Sequence, residues 1–441
     1  MSDKKPWDYG ELALSSCRRY FVNGEKPFFW LGDTAWSIFT RLNREDAYIY
    51  LKNRAEKGYT VIQACLVNPR HSYGGKKSIP VIGDKGVLDA LTAENDDYWN
   101  HVDYIFDTAE KLGLYLATLP VWGAVAREGH LNLDNVGSYS DYLAQRYGKR
   151  PNMLWVLGGD IRGDENYQVW DTLGNCFRQK TPNKLIAYHP FGRTSSSYWF
   201  ADRPWLDINM FQSGHRRYDQ KNLYEWDEAA AKEPWNGEDN WRYVEHDRAI
   251  TPVRPVLDAE PSYEQIPQGL HNAGEPRWQD YHIRRYAYWS VLAGAAGHTY
   301  GHNAVFQFWD GASMPGLAVG ETWKEAIHHP GGSQMAILKD LMESINWQKG
   351  GPSNVVMDKG QKEGYVTAFG SSDGIVIYDY LGRSFFALDN DFGDADAYWI
   401  NPENGIRSYI GKIKLSEGHC FTPPKKPSGF NDWVLLLKKV L

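Results

Sequence analysis

The chain has 441 residues, 42% apolar and 23% charged, a globular composition with enough length for a large barrel and a smaller second domain. A net charge of −7 argues against a nucleic-acid partner, since phosphate binding needs a basic surface. No apolar run approaches the length that crosses a bilayer, so no membrane partner is expected. The opening MSDKKPWDYGEL lacks an apolar stretch of signal-peptide type, which fits either a cytoplasmic protein or a secreted or periplasmic one in mature form. Oligomeric state leaves no mark in the sequence.

Residues 10–27 read as a hairpin, RYFVNGEKPFF with Asn23-Gly24 as its turn, capping the end of the main domain or packing on the C-terminal one. Eight strands follow: FFWLGD (28–33), VIQACLV (61–67), YLATLPVW (115–122), NMLWVLGGD (152–160), LIAYHP (185–190), DINMFQSG (207–214), PVLDAEP (255–261) and GHTYGHN (297–303). Between them lie helical patterns. Residues 43–57 start at Asn43, a good N-cap, with Ala47, Leu51 and Ala55 on one face. Residues 95–112 align Tyr98, Val102, Ile105, Ala109 and Leu112, and Gly113 stops them. Further helices are expected at 139–148, 165–179, 276–293 and 332–345; the stretches after the fifth and sixth strands give no clear pattern.

Eight strands alternating with helices predict an α/β fold, a (β/α)8 TIM barrel, over residues 28–348. A doubly wound open sheet is the alternative, but the first strand runs into GDTAW with no GxGxxG. Helix-to-strand turns are short, whereas the connections at 68–94, 215–240, 262–275 and 304–331 are long. Long loops therefore gather where the strands end, the side on which barrel enzymes build their sites. Those loops hold Arg70, His71, Tyr73, Trp226, Trp235, Phe306, Phe308 and Trp309, suited to a polar and aromatic pocket wall. After about residue 350, strand-like VTAFG, IVIYDY, SFFAL, AYWIN and WVLLLKK are separated by turn sequences. Residues 349–441 thus predict a small antiparallel β-sandwich, and residues 1–27 an N-terminal extension.

The fourth strand ends at Asp160 and the seventh at Glu260, so both carboxyls would stand at the same rim and face each other across the mouth of the barrel. Glycoside hydrolysis needs a protonated acid at the leaving oxygen and an ionised carboxylate across the anomeric carbon. Gly158 and Gly159 would let a sugar or a neighbouring loop approach Asp160 closely. Taken alone, Asp160 could instead cap the helix near 165 or pair with Arg162. Asp258, two residues before Glu260, should share its face and orient pocket groups or join a salt bridge. Asp33, Gln63, His189, Gln212 and His302 are candidate sugar contacts near strand ends, with Trp36 and Trp122 as stacking platforms. The 19 Trp and 28 Tyr fit an oligosaccharide or polysaccharide partner, although most would serve the core.

No metal and no cofactor are expected. The four cysteines, Cys17, Cys65, Cys176 and Cys420, form no CxxC and read as free thiols. GSSDG (370–374) has the GxSxG pattern but joins two strands, so it reads as a hairpin turn and not a nucleophile elbow. The two histidines of HTYGH, His298 and His302, would be about 13 Å apart on a strand, too far to share zinc. DNDFGDAD (389–396) lacks the EF-hand order and reads as a solvated turn.

RYFVNGEKPFFWLGDTAW, the helix ending RAEKGYTVIQA, WVLGGD and PVLDAEPSYE together resemble the apiosidase-like glycoside hydrolase family, and FTPPKKPSGFNDWVLLLKK is similar to the close of the β-domain that follows its barrel, a domain labelled collagen-binding. The resemblance implies the large retaining clan with its acid/base on strand four and its nucleophile on strand seven, hence Asp160 and Glu260. Many members of that clan carry Asn-Glu where this chain has Gly159-Asp160, which argues against an ordinary cellulase. The family's described activity is release of apiose from pectic side chains. The sequence leaves open an endo-acting glucanase or mannanase on the same barrel, and a non-catalytic carbohydrate binder.

Overall fold

The computed structural model describes residues 4–68, 96–220, 237–312, 316–427 and 429–440. The chain enters through three short strands, β1 (Leu12–Leu14), β2 (Phe21–Asn23) and β3 (Lys26–Phe28), paired as an antiparallel sheet. The turn between β2 and β3 is Gly24-Glu25, one residue later than expected. Asn23 pairs with Lys26 as the last ladder residue, and Gly24 takes the positive φ of +58° that the tight turn requires. Asn23 donates its side-chain amide to the Tyr115 hydroxyl, and Trp7 and Phe28 meet the Tyr115 ring edge-on at 5.3 Å. Tyr115 begins a barrel strand, so this sheet caps the bottom of the barrel.

The expected eight strands are all present: β4 (Trp30–Thr34), β5 (Val61–Cys65), β6 (Tyr115–Leu119), β7 (Met153–Gly158), β8 (Ile186–His189), β10 (Asn209–Gln212), β11 (Val256–Asp258) and β12 (Gly297–Tyr300), with a short β9 (Thr194–Ser195) antiparallel to β10. β12, β4, β5, β6, β7 and β8 pair in parallel in that order, as do β10 and β11. A parallel bridge between Ala187 and Ile208 joins β8 to β10, and the Ala296 amide donates to the Val256 carbonyl beside β11 and β12. The ring is thereby closed, a TIM barrel whose strands are buried on both faces and read as continuous apolar runs.

The helices follow their sequence signals except where a local bond intervenes. Asn43 caps Arg44–Glu56 by accepting from the Asp46 amide, and Gly113, at φ +80°, ends Asp96–Leu112. The helix expected at 276 starts at Asp280, because the preceding residues pair with the loop after β11: Gln268 N–H donates to Pro276 and Gln265 N–H to Trp278. Helices also form over Val136–Tyr147, Tyr167–Lys180 and Pro330–Glu343. The two unclear stretches contain the short helix Ser197–Phe200 and the longer Asn240–Ala249. Among the described residues no helix is long and apolar enough to cross a membrane.

The C-terminal strands are β13 (Gly351–Pro352), β14 (Val366–Gly370), β15 (Gly374–Asp379), β16 (Phe385–Ala387), β17 (Asp394–Ile400), β18 (Arg407–Lys414), β19 (His419–Phe421) and β20 (Trp433–Lys439). A six-stranded antiparallel sheet, β13-β14-β15-β20-β17-β18, faces the pair β16-β19. GSSDG is the hairpin turn between β14 and β15. Alternation gives the larger sheet two apolar faces. Ile375, Ile377, Leu435 and Leu437 pack toward Phe385 and Phe421, while Val376, Tyr378, Val434 and Leu436 join the barrel core. The helix Asp280–Leu292 lies between barrel and sheet and is buried without break from Ile283 to Leu292.

Polar contacts across this junction are also buried. Asp432 accepts from Arg284 Nε and Nη2 (2.8 and 3.0 Å), Lys426 Nζ (3.0 Å) and the Tyr378 hydroxyl (2.9 Å). Removing its charge takes the most buried carboxylate from two buried cations, leaving Arg284 with Asp280 and Glu403 and Lys426 with Glu403. Asp432→Ala is expected to lower stability by about 3–5 kcal/mol, the typical cost of breaking a buried pair from one side. Denaturant unfolding followed by tryptophan fluorescence checks it; a change below about 1 kcal/mol refutes it.

Candidate active site

β7 does not simply stop. Gly158, Gly159 and Asp160 adopt φ values of +82°, +104° and +53° in succession. A Cβ on Gly158 would lie 2.4 Å from the His189 carbonyl oxygen, and one on Gly159 would be 3.0 Å from the Trp122 ring. The two glycines thus allow a left-handed turn and close approach of β8 and the Trp122 loop, which is the neighbouring-chain half of the sequence expectation. Gly159 N–H donates to the His189 carbonyl, and the Gly159 carbonyl accepts from Gly123 N–H, each at 3.0 Å. Asp160 is thereby held half-buried at the barrel mouth, with no hydrogen bond to its carboxyl among the described residues. Asn166 stands at the helix start, and Arg162 pairs with Asp164, so Asp160 does neither of these structural jobs.

Glu260 follows the end of β11 and is 8% exposed. His215 Nε2 hydrogen-bonds its Oε1 at 3.2 Å. His189 Nε2 lies 3.3 Å from Oε2, close but off the line of a hydrogen bond. The Glu260 carbonyl accepts from Gly214 N–H at 3.1 Å, tying this loop to the one that carries His215. Asp160 and His215 border the same cavity of about 570 Å³.

The two carboxyls are driven apart in proton affinity. Burial raises Asp160, the charge of Glu260 raises it further, and His189, His215 and Arg127 oppose; the outcome is about 6. Burial also raises Glu260, but the contacts and charges of His189 and His215 outweigh it and bring the group down to about 2. One group is thus suited to keep a proton in mild acid and the other to lose it.

The remaining expected residues fall into three sets. Gln212 borders the cavity with a buried Oε1 that has no hydrogen-bond partner among the described residues. Trp36, Trp122 and Gln63 sit beneath it: Trp36 meets His189 edge-on at 5.2 Å and donates to the Tyr263 hydroxyl, Trp122 packs on both, and Gln63 Nε2 crosses the barrel to the Ala259 carbonyl. Asp33, Asp258 and His302 do not face the cavity. Asp33 is fully buried on the outer side of β4, paired with Arg54 and Tyr50. Asp258 was expected on the face of Glu260, but β11 ends at Asp258 and the two-residue alternation ends with it. Its carboxylate accepts from Ser213 N–H and Oγ and from Asn240 Nδ2, toward the helix layer. It still orients a pocket group, since Ser213 leads into His215.

His302 lies beside Glu321 and His329. His329 Nε2 is 2.8 Å from Glu321, His329 Nδ1 is 3.5 Å from Glu264, and His302 Nε2 is 3.5 Å from Glu321. Ala304 N–H donates to His302 Nδ1, so the proton sits on Nε2 and points at Glu321. The His329–Glu321 contact is a hydrogen bond, whereas His302 Nε2 has no hydrogen-bond partner among the described residues. His298 is buried alone on β12.

Of the expected wall residues, Arg70, His71, Tyr73, Trp226 and Trp235 lie outside the described residues. Phe308 packs between Tyr50 and Trp323, Phe306 against Tyr263, and none of Phe306, Phe308 and Trp309 borders the cavity. The residues not singled out from sequence are His215, Tyr263, Arg127, Arg193 and Arg216. His215 had a signal: it directly follows the sixth strand in QSGH, the same position that flagged Asp160 and Glu260. All four cysteines are free thiols.

The model described as the apiosidase-like catalytic domain matches residues 15–349, and one described as a collagen-binding domain of a collagenase matches 352–438. A solved structure named as a glycoside hydrolase is 37% identical, with a TM-score of 0.91 over 99% of each chain. A glycoside hydrolase family 5 protein from Bacteroides vulgatus is 36% identical, with a TM-score of 0.91 over 99% of this chain and 96% of its own. No curated protein matches.

Two predictions arise. Gly158→Ala adds left-handed strain of about 1–2 kcal/mol to its backbone clash, and is expected to lower the melting temperature and to disturb Asp160. An unchanged melting temperature would refute the steric argument. His329 is raised to about 9 by its contact with Glu264, then by Glu321. Its contribution is therefore complete below pH 6.5 and lost as pH climbs through 9. Melting curves across that window should fall for the wild type and flatten for His329→Gln.

Proposed function

The chain belongs to the apiosidase-like family of glycoside hydrolases, and we propose that it is a retaining, exo-acting member in which Asp160 is the acid/base and Glu260 the nucleophile. The observation that carries this reading is the meeting of the two acids at His189 beside the cavity: His189 contacts the Asp160 amide and lies 3.3 Å from Glu260, His215 hydrogen-bonds Glu260, and the Asp160 carboxyl receives no hydrogen bond among the described residues. In the first step Glu260 attacks the anomeric carbon as Asp160 gives its proton to the leaving glycosidic oxygen, leaving a glycosyl ester on Glu260. In the second, Asp160 takes a proton from water, the water oxygen replaces the ester, and Glu260 is released as carboxylate. Support for the short spacing of a retaining pair comes from His189, since one imidazole touches both the Asp160 amide and the Glu260 carboxylate.

We assign the substrate to pectic glycans, with a terminal sugar such as apiose as the residue released. Arg193 and Arg216 border the cavity of a protein whose net charge is −7, beside Arg127 and Arg162, which are already paired with Glu165 and Asp164. That wall suits the carboxylates of an acidic polysaccharide. Gln212 supplies an amide for a sugar hydroxyl.

Digestion of a plant-polysaccharide panel should release a monosaccharide from pectin, whereas oligosaccharide products would favour an endo-acting enzyme. Asp160→Asn should lower kcat/KM about 10²–10⁴-fold, the usual contribution of a positioned acid. Glu260→Gln should lose at least as much, with both proteins still folded. Because Asp160 must be protonated, kcat/KM is expected to fall as pH rises above 6. A mechanism-based fluorosugar that labels a residue other than Glu260 would overturn the assignment.

A further inference from the structure

Both oxygens of Glu260 face imidazoles, and each imidazole is held from behind by a backbone amide. Asp160 N–H points at His189 Nδ1, and Tyr263 N–H points at His215 Nδ1, each at 3.4 Å. A nitrogen that accepts a hydrogen bond carries no proton, so in the neutral ring the proton sits on Nε2. We propose that His189 and His215 are positioning residues, a two-imidazole clamp in which backbone amides of the Asp160 and Tyr263 loops turn both Nε2–H edges toward the nucleophile, His215 in a hydrogen bond and His189 3.3 Å away. The proposal rests on Glu260 being that nucleophile, and it changes the role of His189 from sugar contact to support.

The clamp has three consequences. With Nδ1 taken up as an acceptor, Nε2–H is the edge that each ring turns to Glu260. The carboxylate plane is fixed from both sides, leaving an oxygen lone pair for the anomeric carbon. The two imidazoles also differ: His215 joins the nucleophile to the Tyr263 loop, whereas His189 lies between the nucleophile and the backbone of the acid. The charged and titratable groups facing Glu260 are His189 after β8, His215 after β10, Asp160 after β7 and the Tyr263 hydroxyl after β11, with Arg127 beyond Asp160.

The first test is independent of any substrate. Long-range ¹H–¹⁵N spectra of histidine-labelled protein should show both rings with a bare Nδ1 and a protonated Nε2 at neutral pH, assigned through His189→Gln and His215→Gln. An Nδ1–H tautomer at either ring overturns the clamp whatever the enzyme acts on. The second test is the pH dependence of kcat/KM on a pectic fragment that the wild type cleaves. His215→Gln and His189→Gln should each move the acid limb to higher pH, since each takes an Nε2–H away from Glu260. Folded variants whose limbs stay in place while the overall rate drops would reduce both residues to a structural role. If the fluorosugar then still labels Glu260, the clamp fails and the hydrolase reading stands; if it labels another residue, the function assignment fails first.

Discussion

A carboxylate that must stay charged while almost all of it is withdrawn from water sets the terms for this barrel mouth. Burial by itself drives Glu260 toward its neutral, useless form. Only donors aimed at its oxygens reverse that, and a donor helps only if its own direction is fixed beforehand. The surrounding residues are arranged to meet that condition. His215 is aimed by the Tyr263 amide, by the Gly214 link to Glu260 and by Ser213 fastened to Asp258. His189 is aimed by the left-handed turn at Gly158 to Asp160 and by the edge of Trp36.

The same charge then does a second job. Asp160 and Glu260 begin with similar chemistry, and the environment separates them. Glu260 is given two imidazoles, while the Asp160 carboxyl is given none and feels the anion beside it. Arg127 tempers the effect but is itself engaged bidentately by Glu165. A site in which both acids were equally well hydrogen-bonded would ionise both and lose the difference in proton affinity between them.

The barrel was legible because buried parallel strands announce themselves as unbroken apolar runs, and helices by cap and stripe. VIQACLV and Asn43 needed no tertiary information. The candidate site was legible at strand ends, where Asp160, Glu260, His189 and Gln212 all come to the mouth. Period-two reasoning failed one step further on. Asp258 and Glu260 are two apart, yet the strand ends between them and the side chains diverge. Asp33 failed for another reason: its partner, Arg54, sits on a helix twenty-one residues later, and no local pattern says that a strand-end carboxylate turns outward to it. His302 likewise answers to Glu321 and His329, partners that only the folded loops bring near.

Asp258 also explains why a barrel with its site at one end should be fused so intimately to a β-sheet at its side. Asn240 Nδ2 bonds both the Asp258 carboxylate and the Tyr286 carbonyl. Tyr286 belongs to the helix Asp280–Leu292, whose opposite surface is stacked on the β-domain through Tyr288 on Tyr378 and locked by Arg284 on Asp432. A continuous set of buried contacts therefore runs from the second domain through this helix, Asn240, Asp258 and Ser213 to His215 and Glu260. A helix with one face open to water could shift by the few tenths of an ångström that a hydrogen bond to a buried carboxylate does not tolerate. Packing that helix on both sides restricts that freedom, so the β-domain backs the contacts that lead to Glu260.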